Sequence, residues 1–153
     1  VSEIKIKLAD FDDPDVQRLV TANLRDLSER YGGTGDDTPI SGADFTPPNG
    51  AFLVASLDGK LIGSAGWRRH GASDAELKRM FTLAEARGRG VARRMLAAIE
   101  ESAREAGCSR VILETGDKQP EAIALYESAG YVRIEDFGFY AGHEGVLSYA
   151  KPL

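Results

Sequence analysis

The run Arg87-Gly88-Arg89-Gly90-Val91-Ala92 is the stretch of this sequence whose residue types point most directly to chemistry. Gly88 and Gly90 have no Cβ, so the backbone there can come close to a ligand, and they stand where a strand gives way to a long amphipathic helix. The first turn of such a helix carries N–H groups without acceptors and the positive end of the helix dipole. Together these make an anion site suited to a pyrophosphate. A tight strand-to-helix turn with no ligand would use the same two glycines. Two nucleotide patterns fail on these residues. A P-loop needs Lys and Ser or Thr directly after its last glycine, where Val91 and Ala92 stand, and a dinucleotide fingerprint needs a small residue where Arg93 stands. His70 and His143 sit beside turn glycines and read as loop residues, and Cys108 follows a helix-stopping glycine with no histidine in a fixed relation to activate it.

The elements that must hold this turn follow from periodicity. Ile4, Ile6 and Leu8 alternate with lysines as a strand with one buried face. Asp13 as N-cap and Pro14 at the first helical position open a helix whose apolar residues recur from Val16 to Tyr31, and Gly32-Gly33 ends it. From Gly32 to Gly50 the chain turns to Gly, Pro, Asp and Thr, a length that fits a lid on the substrate side. Ala51 to Leu57 and Leu61 to Arg68 form an antiparallel hairpin around Asp58-Gly59-Lys60. Glu76 to Leu83 is a strand whose first half is charged, and a helix from about Gly88 buries Val91, Ala92, Met95, Leu96, Ile99 and Ala103 until Gly107 stops it. Strand Arg110–Glu114, helix Gln119–Ala129, strand Tyr131–Ile134 and strand Val146–Tyr149 complete the chain. A strand–helix–strand alternation demands parallel neighbours, and the Asp58-Gly59 turn demands antiparallel ones. The expected fold class is therefore α/β: one domain over 1–153, with a mixed central sheet flanked by helices.

Composition narrows the function classes. The chain has 153 residues, 42% apolar and 28% charged, ordinary values for a globular domain with a real core. Its net charge of −5 and pI near 5.1 speak against a protein built to grip phosphate backbones, so no nucleic acid is expected as partner. No 18 apolar residues stand together and no cationic leader opens the sequence, so no membrane partner is expected. A single cysteine fits a reducing compartment, and a cytoplasmic protein is the reading. No Cys/His cluster has metal-ligand spacing, so no metal is expected.

The segment Glu76–Ile134 resembles the cofactor-binding core of the GNAT superfamily of N-acetyltransferases. Arg87, Gly90 and Ala92 match that superfamily's Gln/Arg-x-x-Gly-x-Gly/Ala, and Gln119-Pro120-Glu121-Ala122-Ile123-Ala124-Leu125-Tyr126 followed by Gly130-Tyr131 is similar to its Asn-x-x-Ala-x-x-Leu-Tyr and Gly-Phe. Gln119 stands where Asn is usual and Ala84 where Pro is common. The resemblance implies a GNAT-like sheet, mostly antiparallel with a parallel pair at the cofactor site, and acetyl-coenzyme A as acetyl donor. By position, the backbone of Arg87, Gly88, Arg89, Gly90, Val91, Ala92 and Arg93 would cradle the pyrophosphate. Met80, Phe81 and Thr82 would bond the pantetheine arm, and Gln119 and Tyr126 would complete the cofactor site.

Acetyl transfer needs a neutral amine, a stabilised oxyanion and a protonated leaving thiolate. The resemblance assigns the acid to Tyr126 and the base to Glu76, with a backbone N–H near Phe81 or Thr82 for the oxyanion. Tyr31, Phe45 and Trp67 are candidate walls of the acceptor pocket, and Asp36, Asp37 and Asp44 make the variable loop acidic. The expected activity is transfer of acetyl to a primary amine of a small molecule by direct attack in a ternary complex. A protein lysine or N-terminal acceptor and a non-catalytic acyl-coenzyme A sensor are the alternatives, and a homodimer is left open.

Overall fold

Residues 3–153 are described by a computed structural model. The alternating residues of β1 (Ile4–Leu8) pair antiparallel with β2 (Gly50–Leu57), and β2 pairs with β3 (Lys60–His70). The hairpin between them closes over Asp58 and Gly59, both with positive φ (52° and 82°), as a two-residue turn matched to strand twist requires. β4 (Asp74–Thr82) follows, then β5 (Arg110–Gly116), the short β6 (Val132–Arg133) and β7 (Val146–Pro152). The order across the sheet is β1-β2-β3-β4-β5-β7-β6, and β4 with β5 is the parallel pair among otherwise antiparallel neighbours. This is the expected mixed α/β sheet.

Helix α1 (Pro14–Tyr31) covers one face. Its Asp13 cap accepts from the Asp15 N–H, and Val16 and Val20 pack with Phe45, Phe52 and Val54. Helices α2 (Val91–Glu105) and α3 (Pro120–Ser128) cover the other face. The α2 stripe Val91, Met95, Leu96, Ile99 and Ala103 meets Leu53, Ala65, Trp67, Leu77, Val111 and Leu113, and Tyr126 of α3 joins the same core. None of the described helices is long and apolar enough to cross a membrane.

Two features of β4 matter most for the site. Its ladder with β5 covers only Asp74–Glu76 against Arg110–Ile112. Its register with β3 shifts between Ser64 and Gly66, so that Arg79 and Met80 bulge opposite Ala65, and Arg79 takes φ +57°. Beyond Glu76, β4 and β5 therefore separate, while β5 stays paired with β7 through Gly116.

Several elements differ from the sequence reading. The α2 helix starts at Val91, because Gly90 in the left-handed region (φ +77°) serves as its N-cap, four residues after a 3-10 turn at Ala84–Ala86 ends. The expected strand Tyr131–Ile134 shrinks to the two-residue edge strand β6. Within the long 32–50 segment a 3-10 turn, Gly42–Phe45, is closed by reciprocal Ser41 and Asp44 capping.

Phe45 and Trp67 are core residues, which corrects their assignment to an acceptor pocket. Phe45 lies in a three-ring cluster with Phe11 and Phe52, centroids 5.0–5.3 Å apart. Trp67 is 2% exposed and its indole N–H donates to Ser102 Oγ at 2.9 Å. The Phe cluster sits directly on Gly66, where a Cβ would stand 2.7 Å from Phe52 and 2.8 Å from Phe45. Gly66→Ala should therefore overpack this face and lower unfolding free energy by about 1–3 kcal/mol. Urea denaturation of parent and variant checks this; an unchanged midpoint would mean that the rings shift freely.

Candidate active site

Where β4 and β5 separate, a cleft of about 310 Å³ opens. Its walls are Leu77–Met80 of β4 and Leu113–Gly116 of β5, with Asn23, Leu27 and Tyr31 of α1 on one side and Gln119 and Tyr126 at α3 on another. Gly35 and Asp36 from the 32–50 segment, and Tyr140 and the 143–146 residues from the β6–β7 connection, complete the lining. The polar groups that face this space come from segments far apart in the chain.

Tyr126 is 6% exposed, and burial pushes its phenol well above the ordinary range, so it holds its proton at neutral pH. Its hydroxyl has no hydrogen-bond partner among the described residues, whereas Tyr131 donates to Glu100 (2.9 Å) and Tyr149 to Glu127 (2.8 Å). Glu114 of β5 accepts the Tyr140 N–H on Oε2 at 3.0 Å, while its Oε1 is buried without a partner. Burial pushes the Glu114 carboxyl up, and the Tyr140 N–H and Lys78 only partly offset this.

On the β4 wall, Lys78 Nζ donates to Thr38 Oγ1 at 3.1 Å and stands 3.6 Å from Asp36, and Arg79 Nη1 is paired with the same carboxylate. Burial would raise Asp36, but Lys78, the Thr38 hydrogen bond and Arg79 outweigh it and hold the carboxyl well below the usual range. Asp36 also accepts from Tyr140 Oη at 2.8 Å, and that oxygen accepts the Asp37 N–H at 2.7 Å. The 32–50 segment and the β6–β7 connection are thus tied together over the cleft. Burial and the bond to Asp36 push the Tyr140 phenol up.

Of the residues expected from sequence, the cleft brings together Tyr31, Met80, Gln119 and Tyr126. Tyr31 Oη accepts from Lys118 N (3.2 Å) and Gln119 Nε2 (3.3 Å), fixing the end of α1 to the β5–α3 turn. A Cβ at Gly116 would meet the Tyr31 hydroxyl end, so the glycine lets the ring lie this close. Glu76 is not in the lining; it is 3% exposed and accepts from Arg68 Nε at 3.0 Å. Phe81 and Thr82 also lie outside the lining; Phe81 is largely buried, with the Arg87 guanidinium 6.0 Å from its ring centroid, and the Thr82 hydroxyl is buried without a partner.

The Arg87–Arg93 turn lies at a neighbouring place, between α1 and α3. Arg87 donates to Thr82 O (3.2 Å) and reaches Asp26 of α1 (3.9 Å), and Arg93 donates to Ser128 of α3 (2.8 Å). Backbone N–H groups from Gly88 to Arg93 have no acceptor among the described residues, and a Cβ on Gly88 or Gly90 would meet nothing within 4 Å. Arg89 is exposed beside them. Open donors, positive side chains and empty space fit a diphosphate.

Lys78, Arg79, Glu114 and Tyr140 are among the cleft residues that sequence reasoning did not assign. Glu114 had one signal, a carboxylate ending the apolar run Val111-Ile112-Leu113; the pairing of Tyr140 with Asp36 spans 104 residues and had none.

Residues 17–131 match the model of the acetyltransferase (GNAT) family. The chain is 39% identical over 107 residues to an IAA acetyltransferase of Azospirillum brasilense, covering 69% of this chain and 70% of that protein. It is 32% identical over 136 residues to YjgM of Escherichia coli K12, an uncharacterized N-acetyltransferase, covering 81% and 78%. A Klebsiella pneumoniae structure assigned as an acyl-CoA N-acyltransferase superposes with a TM-score of 0.82 at 27% identity, covering 98% and 97% of the two chains. The chain belongs to the GNAT acetyltransferase family.

Asp36 gives the site a testable electrostatic anchor. Asp36→Asn should cost about 3–5 kcal/mol at pH 7, since it leaves Lys78 and Arg79 without their counter-ion. The folded pKa of Asp36 lies below its unfolded value, so its contribution is complete above about pH 4 and is lost as pH falls through the folded value. Urea melts of parent and variant at pH 7 and pH 3 should give a gap that narrows at the lower pH; a constant gap would contradict the ion-pair account.

Proposed function

We propose that this chain is an N-acetyltransferase that moves the acetyl group of acetyl-coenzyme A to the primary amine of a small molecule, in a ternary complex. The observation that carries the reading is the free Tyr126 hydroxyl, which keeps its proton inside the cleft that opens where β4 and β5 part. Acetyl-coenzyme A supplies the activated acyl group as a thioester. The Gly88–Arg93 N–H groups and the exposed Arg89 are the residues that would hold its diphosphate, and Met80, Gln119 and Tyr126 would flank its arm.

Each remaining chemical need falls to a group of this chain. Tyr126 Oη holds the proton that the departing sulfur requires. The β4 edge facing β5 has no ladder partner beyond Glu76, so its backbone can bond an extended arm or a developing oxyanion near Phe81 and Thr82. Two carboxylates are candidates to take the amine's proton, Glu76 and Glu114. Glu114 is favoured because it lines the cleft with one oxygen unpartnered, whereas Glu76 is engaged by Arg68. Glu76 then serves as a buried anion that fixes Arg68, which also reaches Asp44 at 3.3 Å.

A small acceptor is favoured over a protein segment by space. A cleft of about 310 Å³ is near the lower bound of ligand pockets, roughly 300–1,000 Å³, and two connected segments roof it. The named activity of the Azospirillum relative, acetyl transfer, supports the same class.

An amine panel with detection of free coenzyme A thiol tests the activity. With the best acceptor, Tyr126→Phe should lower kcat by about 10²-fold with the donor's affinity unchanged. Glu114→Gln should lower kcat/KM by about 10²-fold and remove the acid limb of the parent's pH profile, because only the ionised carboxyl accepts a proton. Glu76→Gln should keep that limb. If the limb disappears with Glu76→Gln and survives Glu114→Gln, the base is Glu76.

A further inference from the structure

Lys78 and Arg79 form an unusual pair for a sheet interior. Their side chains are 7% and 6% exposed, and Asp36 is the one carboxylate within 4.0 Å of either among the described residues. Two buried cations therefore share one counter-ion. Glu114, on the facing β5 wall, makes no ion pair within 4.0 Å with either cation and accepts the Tyr140 N–H instead. In direct contact the two buried cations have one carboxylate between them, which leaves their remaining donors open to a further anionic partner.

The donors of the pair are also under-used. The Arg79 guanidinium has five N–H bonds, and among the described residues Nη1 to Asp36 is its only hydrogen bond; Nε is buried without a partner there. Lys78 Nζ makes one hydrogen bond, to Thr38 Oγ1. Both residues line the cleft that holds Tyr126 and Glu114. The bulge at Arg79 (φ +57°) departs from regular strand geometry at this place, and such backbone strain is usually retained for function.

We propose that the acceptor is a small amino acid, whose carboxylate binds Lys78 and Arg79 while its amine lies toward Glu114. The inference rests on the acetyltransferase reading and adds the acceptor class to it. A carboxylate supplies the second anionic partner that the two cations lack in direct contact. Its two oxygens also match a guanidinium with free N–H donors. A zwitterion suits a cleft that offers cations on the β4 wall and a carboxyl on the β5 wall. Lys78 and Arg79 act here as specificity residues and take no part in proton transfer.

The experiment compares each of several amino acids (alanine, serine, aspartate, tryptophan) with its own carboxamide, using parent protein and acetyl-coenzyme A at pH 7.5. The carboxamide's amine is less basic, so more of it is neutral and intrinsically reactive; preference for the acid cannot come from reactivity. The best acid should exceed its carboxamide by at least about tenfold in kcat/KM, mainly through KM. Arg79→Gln and Lys78→Gln should bring that ratio toward one; if either fails to fold, the parent comparison decides alone. Binding is read separately by thermal shift with coenzyme A present. Stabilisation by acids and not by carboxamides, without turnover of either, would uphold the carboxylate site and overturn the acetyltransferase reading. Equal treatment of acid and carboxamide, preference for carboxamides, or no stabilisation by any amino acid together with no turnover would overturn the inference.

Discussion

The loss of pairing between β4 and β5 is the constraint on which the site depends. Parallel pairing stops at Glu76 and Ile112, and three residues later the backbone at Arg79 enters the left-handed region and bulges away from β3. A continuous ladder would have buried Leu77–Met80 against Leu113–Gly116 and left no cleft. Instead β5 keeps its antiparallel bonds to β7, so one wall stays rigid while the other opens. Backbone groups released from the ladder must bond to something, and in a cleft of this kind they are available to a ligand. The core beneath remains closed because α2 packs Met95, Leu96 and Ile99 across the strands on the opposite side of the split.

Electrostatics then give the cleft its roof. Asp36 is buried only because Lys78, Thr38, Arg79 and Tyr140 surround it, and it carries its segment down onto the sheet. Tyr140 is shared, since its Oη bonds Asp36 and its N–H bonds Glu114. One tyrosine thereby links the loop over the cleft to the carboxyl proposed as base. Charge in the cleft is set by these contacts more than by the overall charge of −5, most of which is carried on exposed side chains.

How much could be read in advance follows the range of the interactions. The Asp58-Gly59 hairpin and the Asp13-Pro14 helix start are local, and their residue types dictated the backbone. Tyr126 and Gln119 were legible through a spaced motif, and both line the cleft. Phe45 and Trp67 misled because an aromatic side chain suits a pocket wall and a core equally well, and only the facing of the strands decides. The bulge at Arg79 had no glycine to announce it. The first half of β4 is charged, yet Glu76, Lys78 and Arg79 are all buried, each against a charge supplied by another segment. Such pairings depend on tertiary contact and leave no trace in local spacing.

The central claim is that the split between β4 and β5 is where acyl transfer takes place, with Tyr126 beside the reacting sulfur. A crystal structure of the protein with coenzyme A and an amine acceptor tests this most directly. The account expects the diphosphate on the N–H groups of Gly88–Arg93, the arm along Met80–Thr82, and the sulfur within hydrogen-bond reach of Tyr126 Oη. A sulfur seated away from Tyr126, or coenzyme A bound outside the cleft, would contradict it.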